Sequence, residues 1–242
     1  MPNTVMGGKP DQQGFQVNFG SSTLIGDILG PKSSPRLLVL HGAGKSNRSR
    51  FRTLREELLA KGISSAAFDF VGHGDTGGEL SSSSLYSRTR QACRAVDALN
   101  LQQPFSVIAA SMSAYTAVKL LEHFQIKNLI LLVPAIYTRQ VYTIPFNQGF
   151  SDLIRQPQSW VQSDAWRLLA DFRGRLLIVG AENDQVIPPD VIHRIYDSAV
   201  NAVERNLYIA PEASHFVFTD LRENNPAEFK YVFDQMCVVL RK

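Results

Sequence analysis

An alternation constrains this chain more than any other feature. Short apolar runs at residues 37–40, 65–70, 105–110, 129–133, 176–180 and 206–209 are each preceded or followed by a segment of helical length. In the segments 49–61, 85–100, 113–124, 189–199 and 226–240, apolar residues recur at three- and four-residue steps. Runs that are apolar at consecutive positions suit strands covered on both faces, and their alternation with helices implies parallel βα crossovers. Ahead of them, residues 15–19 and 24–29 flank Gly20, Ser21 and Ser22, which predicts an antiparallel hairpin opening the sheet. The expected fold class is therefore α/β, an eight-stranded and mostly parallel sheet with helices on both faces.

No Pro/Gly/Ser-rich linker splits the 242 residues into two compact halves, so residues 1–242 read as a single domain. From about 135 to 170 the rhythm breaks: no clear strand, several Pro and Gly, and a dense set of aromatics including Tyr137, Tyr142, Phe146, Phe150, Trp160 and Trp166. This reads as a small cap inserted over one end of the sheet. Its rings suit an apolar acyl or aryl pocket, and they serve equally to pack the cap or to form a dimer surface.

Composition narrows the partners. A net charge of +3 arises from 25 basic and 22 acidic residues without a dense Lys/Arg run, which argues against nucleic acid. The first 13 residues are polar and interrupted by Pro and Gly, and no later stretch is apolar for long enough to span a bilayer, so a cytoplasmic protein without membrane partners is expected. Cys93 and Cys237 both fall in helical patterns and read as buried free thiols.

In open α/β sheets, ligands bind beyond the carboxyl ends of the strands. The loops after the apolar runs carry His41-Gly42-Ala43-Gly44, then 69–75 with Asp69 and His73, then Ser111, then Asp184, then His215. Ser111 sits between an apolar run and the start of a helix, where a strained strand-to-helix turn lifts a hydroxyl clear of the backbone. The glycines usual on either side are here Ala109 and Ser113, both still small. A serine in this place is also a common helix cap. What favours catalysis is the company it keeps: a hydroxyl needs a base, the base needs an orienting carboxylate, and the order Ser111, Asp184, His215 is the one this kind of scaffold uses. Glu182 competes with Asp184 but lies nearer the strand end, and Asp190 fits the first turn of a helix.

With these residues in place the chain resembles the α/β-hydrolase superfamily from Leu37 onward. His41-Gly42-Ala43-Gly44 is similar to the superfamily's oxyanion loop, which implies that the backbone N–H groups of Ala43 and Met112 form an oxyanion hole and that His41 and Gly42 lie against the substrate. Residues 69–77 resemble its D-x-x-G-x-G-x-S loop, with Thr76 in place of the frequent serine and a structural role. The A-x-S-x-S elbow also resembles, more locally, the acyl-protein thioesterases of bacterial bioluminescence.

The resemblance implies a serine hydrolase acting on a small-molecule carboxylic ester or thioester, with no metal or organic cofactor. Tyr137, Tyr142, Phe146 and Trp160 are the candidate substrate-pocket side chains. Peptide, lactone or carbon–carbon bond hydrolysis would use the same three residues. A binding protein that kept the fold without the chemistry would be expected to lack one of them, and all three are present. Gly42-Ala43-Gly44-Lys45-Ser46 also resembles the end of a phosphate-binding P-loop, but Val39 stands where the first glycine is required, and the shortened loop cannot wrap a phosphate.

Overall fold

The computed structural model describes residues 12–31 and 35–242; most of the polar stretch 1–13 lies outside them. In chain order the elements are β1 (Gln12–Phe19), β2 (Ser22–Leu29), β3 (Leu37–Leu40), α1 (Arg52–Ala60), β4 (Ser65–Phe68), α2 (Leu85–Ala98), β5 (Phe105–Ala110) and α3 (Ser113–Leu120). They continue with β6 (Ile126–Leu132), α4 (Ser151–Ile154), α5 (Ala165–Asp171), β7 (Arg175–Ala181), α6 (Pro189–Ser198), β8 (Glu204–Ala210), α7 (Val217–Asn224) and α8 (Pro226–Arg241).

The eight strands form one sheet in the order β1-β2-β4-β3-β5-β6-β7-β8. The β1–β2 hairpin and the β2–β4 pair are antiparallel, and every other pair is parallel. Strand alternation divides the core. Leu38, Leu40, Val107, Ala109, Leu129, Leu131, Leu176 and Ile178 face one side, where they pack with residues of α2, α3, α5 and α6. Their neighbours Leu37, Val39, Ile108, Ile130, Leu132, Leu177 and Val179 face the other, against α1, α7 and α8. Each fully buried Leu or Ile contributes about 1.5–3 kcal/mol relative to an exposed one, so two such layers hold the central strands firmly.

Local chemistry sets the boundaries. β4 ends at Phe68, short of the apolar run: the Asp69 N–H still donates to the Ile25 carbonyl (2.9 Å), but the Ile25 N–H goes to Thr76 Oγ1 (2.8 Å) and the chain enters the 69–77 loop. α2 starts where the Ser84 side chain accepts from the Ser87 N–H (3.1 Å), and α6 and α8 each begin with Pro at their first position, where a missing N–H costs nothing. α7 is a helix the periodicity does not announce, since only Val217 and Leu221 in it are buried. Between β6 and α5 there is no strand; the chain passes through short turns and α4. Cys93 and Cys237 are buried free thiols. Among the described residues no helix is long and apolar enough to cross a membrane.

Candidate active site

Ser111 follows β5 directly and has φ +50, a left-handed conformation that costs a side-chain-bearing residue energy. The strain is held from several directions: its N–H donates to the Leu132 carbonyl (2.9 Å), and its carbonyl accepts from Ala114 (2.9 Å) and Ala135 (3.1 Å). Val133, at the end of β6, is a second non-glycine with positive φ (+41), and its N–H donates to the Val179 carbonyl (2.7 Å). Gly42 packs so closely against the elbow that an added Cβ would lie 3.2 Å from that of Ser111. Ser113 is fully buried, which removes it as a rival nucleophile.

Two loops at the same rim bring Asp184 and His215 to Ser111. His215 Nε2 lies 3.0 Å from Ser111 Oγ, and His215 Nδ1 lies 2.9 Å from Asp184 Oδ2. With Asp184 ionised, Nδ1 carries the proton and donates, leaving the Nε2 lone pair facing the serine hydroxyl. The second oxygen of Asp184 accepts from the N–H groups of Val186 (2.8 Å) and Ile187 (3.0 Å). Burial opposes its charge, but these bonds and the one from His215 outweigh it and hold the carboxyl below its ordinary pKa. Glu182 instead accepts from the Glu212 N–H (2.8 Å).

His41 corrects an expectation. It is 1% exposed and points into the protein rather than toward a substrate. Its Nδ1–H donates to the Gly42 carbonyl (2.8 Å), and its Nε2 accepts from the Phe70 N–H (3.2 Å). Both contacts fix the neutral ring, and burial, reinforced by the nearby Arg88, pushes its pKa well below 6.5. Arg88, from α2, is fully buried and shares its Nη2 among the carbonyls of His41 (2.9 Å) and Gly42 (3.2 Å) and the Ser113 hydroxyl (2.9 Å). The Ser113 hydroxyl in turn donates to the His41 carbonyl. Sequence reasoning missed Arg88, although a signal existed: a lone cation within the apolar stripe of α2, between Leu85 and Ala92.

The 69–77 loop is structural, as its resemblance implied. Asp69 is buried and accepts from the Arg48 backbone (2.7 Å), the Arg48 guanidinium and the Asp75 N–H (2.9 Å). Thr76 fills the place of the usual serine, donating to the Asp69 carbonyl (2.7 Å) and accepting from the Ile25 N–H (2.8 Å). Gly74 has φ +46, and a Cβ there would collide with the Asp69 carboxylate. The 42–46 loop folds back through a bond from the Ser46 N–H to the Ala43 carbonyl (3.3 Å), a turn closed on itself rather than a cradle for phosphate.

A cavity of about 320 Å³ opens beside Ser111 and His215. Gly42, Ala43, Phe51, Leu54, Phe216 and Phe218 supply much of its wall, and Arg50, Arg222 and Glu223 are its charged groups. Of the six residues expected to contact substrate, only Gly42 lines it. Tyr137, Tyr142, Phe146 and Trp160 pack instead on the core beneath them and on neighbouring rings, as in the Tyr115–Tyr137, Phe146–Phe150 and Trp160–Trp166 pairs. The cause is burial: apolar rings that meet neighbouring rings gain more than rings held open to water. Among the described residues, no group of three or more His, Cys, Asp or Glu side chains is arranged to hold a metal ion.

A mostly parallel eight-stranded sheet with these loops at its carboxyl edge defines an enzyme of the α/β-hydrolase superfamily. Within it, the chain belongs to the family described as serine aminopeptidase, S33, whose model matches residues 31–162. No curated protein matches it in sequence. The same fold occurs in an esterase from Pyrococcus furiosus (TM-score 0.70, 19% identity, covering 99% of this chain and 98% of that one). It occurs also in an esterase from Exiguobacterium antarcticum (0.69, 18%, 92% and 100%) and in the thioesterase domain from the curacin biosynthetic pathway (0.65, 16%, 92% and 99%).

Proposed function

We propose that this hydrolase cleaves carboxylic esters or thioesters through an acyl-enzyme formed on Ser111, as one domain in which residues 135–170 pack as a cap. The observation that carries this reading is the unbroken relay of 3.0 and 2.9 Å from Ser111 through His215 to Asp184. His215 takes the hydroxyl proton as Ser111 attacks the carbonyl, and Asp184 stabilises the imidazolium that results. The proton then goes to the leaving alcohol or thiol, and the same imidazole activates the water that releases the acid. The tetrahedral oxyanion is met by the N–H groups of Ala43 and Met112, which no acceptor among the described residues takes. Losing one such donor typically costs about 10²- to 10³-fold in rate.

The cavity supports a modest substrate, since about 320 Å³ lies near the lower end of the range of small-ligand sites. Its charged lining also bears on the bond cleaved. An aminopeptidase must hold a substrate ammonium, whereas here the one acidic lining residue, Glu223, stands with Arg50 and with Arg222, whose guanidinium is paired to Glu57 (2.6 and 3.1 Å). Esters and thioesters of neutral groups fit that balance better. The test is a panel of p-nitrophenyl esters and acyl thioesters of increasing chain length, run beside aminoacyl p-nitroanilides. Ester or thioester turnover that peaks at short to medium chains supports the reading, and turnover confined to the anilides overturns it.

A further inference from the structure

The Gly42 carbonyl accepts two hydrogen bonds, from His41 Nδ1 (2.8 Å) and from Arg88 Nη2 (3.2 Å). That carbonyl belongs to the same peptide unit as the Ala43 N–H. Donors on a carbonyl oxygen draw electrons along the amide and make its N–H a stronger donor, an effect that grows when one of them is charged and the surroundings are dry. The same Nη2 also reaches Ser113, two residues beyond the nucleophile (2.9 Å), so one guanidinium bridges the loop before α1 and the elbow before α3. These are the two segments that carry Ala43 and Met112.

The way Arg88 is held argues against a purely structural role. No carboxylate among the described residues pairs with it, and its Nε is buried without a partner. It is met instead by the Phe70 ring, 3.8 Å from its Cζ, and by His73 Nε2, 3.3 Å from Nη1. Burying a cation without an anion is costly, and apolar replacements of buried charges often stabilise a fold. A positive charge kept in so expensive a position, bonded to the Gly42 carbonyl and to Ser113, favours negative charge developing next to the Gly42–Ala43 amide.

We propose that Arg88 is a positioning residue of the hydrolytic site: it locks the oxyanion loop to the nucleophile elbow and polarises the Gly42–Ala43 amide toward the oxyanion. This rests on the acyl-enzyme reading above. Arg88 touches no substrate and acts through the Ala43 N–H and through Ser113.

The experiment compares Arg88→Met, Arg88→Lys and wild type, with active sites counted by end-point titration with a fluorophosphonate and turnover expressed per titrated site. For Arg88→Met, kcat per site on a p-nitrophenyl ester should fall about 10- to 100-fold with KM within about twofold, because the lost interaction strengthens only as charge develops. Affinity for a trifluoromethyl ketone, whose serine adduct carries an oxyanion, should fall by the same factor. Arg88→Lys, which keeps the charge without the fork, should recover part of both losses. A packing role alone lowers the titratable fraction and the melting temperature but leaves kcat per site and ketone affinity unchanged, and that result overturns the proposal. Should the arginine variants not fold, Ser113→Ala removes one anchor of the same guanidinium and keeps the elbow small. It should lower both quantities several-fold, and no change in either is equally decisive against the proposal. A wild-type chain that takes up no fluorophosphonate at Ser111 overturns the hydrolase reading itself, separately from anything Arg88 does.

Discussion

Ser111 stands between two flanks built on opposite principles. On the β7–β8 side, His215 and Asp184 form a paired acid and base whose charges balance when the ring is protonated, with His215 partly open to solvent. On the β3–β4 side, His41, His73 and Arg88 form a buried group with a cation and no paired carboxylate. In the proposed mechanism proton transfer needs a base that can charge and discharge, and the first flank, at the rim beside the cavity, suits that role. The proposed oxyanion stabilisation needs fixed dipoles and a standing positive potential, and the second flank, packed away from water, suits that role. One flank is arranged to change its charge, the other to keep it.

The largest effects should come from the flank that changes. Asp184→Asn and His215→Ala are each expected to lower kcat on a p-nitrophenyl ester by about 10³- to 10⁴-fold, measured per folded chain. Near-normal turnover in either would erase the distinction, because that flank would no longer be where the proton moves.

Acid stability should then separate the two flanks. Burial, aided by the neighbouring Arg88, lowers the pKa of both His41 and His73, so the unfolded chain binds protons that the folded one refuses. Their contribution is complete above about 6.5 and is lost as pH falls from there through the folded values. Asp184 is also depressed, so its contribution holds above the ordinary carboxylate value near 3.8 and is lost as pH falls through its folded value. Urea unfolding from pH 7.5 to 3 should show a shallower decline below pH 6.5 in His73→Asn. Asp184→Asn should flatten the decline only at the acid end, and identical profiles for the two variants would contradict the assignment.

The smallest effect should fall on the aromatic segment 135–170. Trp160→Ala and Phe146→Ala are expected to leave turnover per site within about threefold, since what these rings lose is packing. A larger fall, or a change in acyl-length preference, would give this segment a part in the site.

How far the sequence reveals these regions follows the same division. The strand–helix alternation is a repeated signal in which every βα unit supports the next, and the order of Ser111, Asp184 and His215 along the chain reflects where strands must end. The opening hairpin is legible because local pattern and fold agree, and the place of Thr76 follows from the resemblance of residues 69–77 to a known loop. The direction in which a side chain points is not local. His41 lies in the loop as its motif implies, but the packing of Phe70 and His73 against it turns the ring inward. The aromatics of residues 135–170 are concentrated in sequence, yet their partners are one another and the core. α7 escapes notice because two buried residues in eight make too weak a period, although it forms one wall of the cavity.

The central claim is that Ser111 is made nucleophilic by the imidazole 3.0 Å away. Its most direct test is to treat the wild-type chain with a fluorophosphonate and map the adduct by peptide mass spectrometry, with Ser111→Ala and His215→Ala alongside. The account predicts one adduct per chain on Ser111, absent from Ser111→Ala and formed at least about 100-fold more slowly in His215→Ala. An adduct that persists in Ser111→Ala, or a Ser111 that labels equally fast without His215, would contradict it.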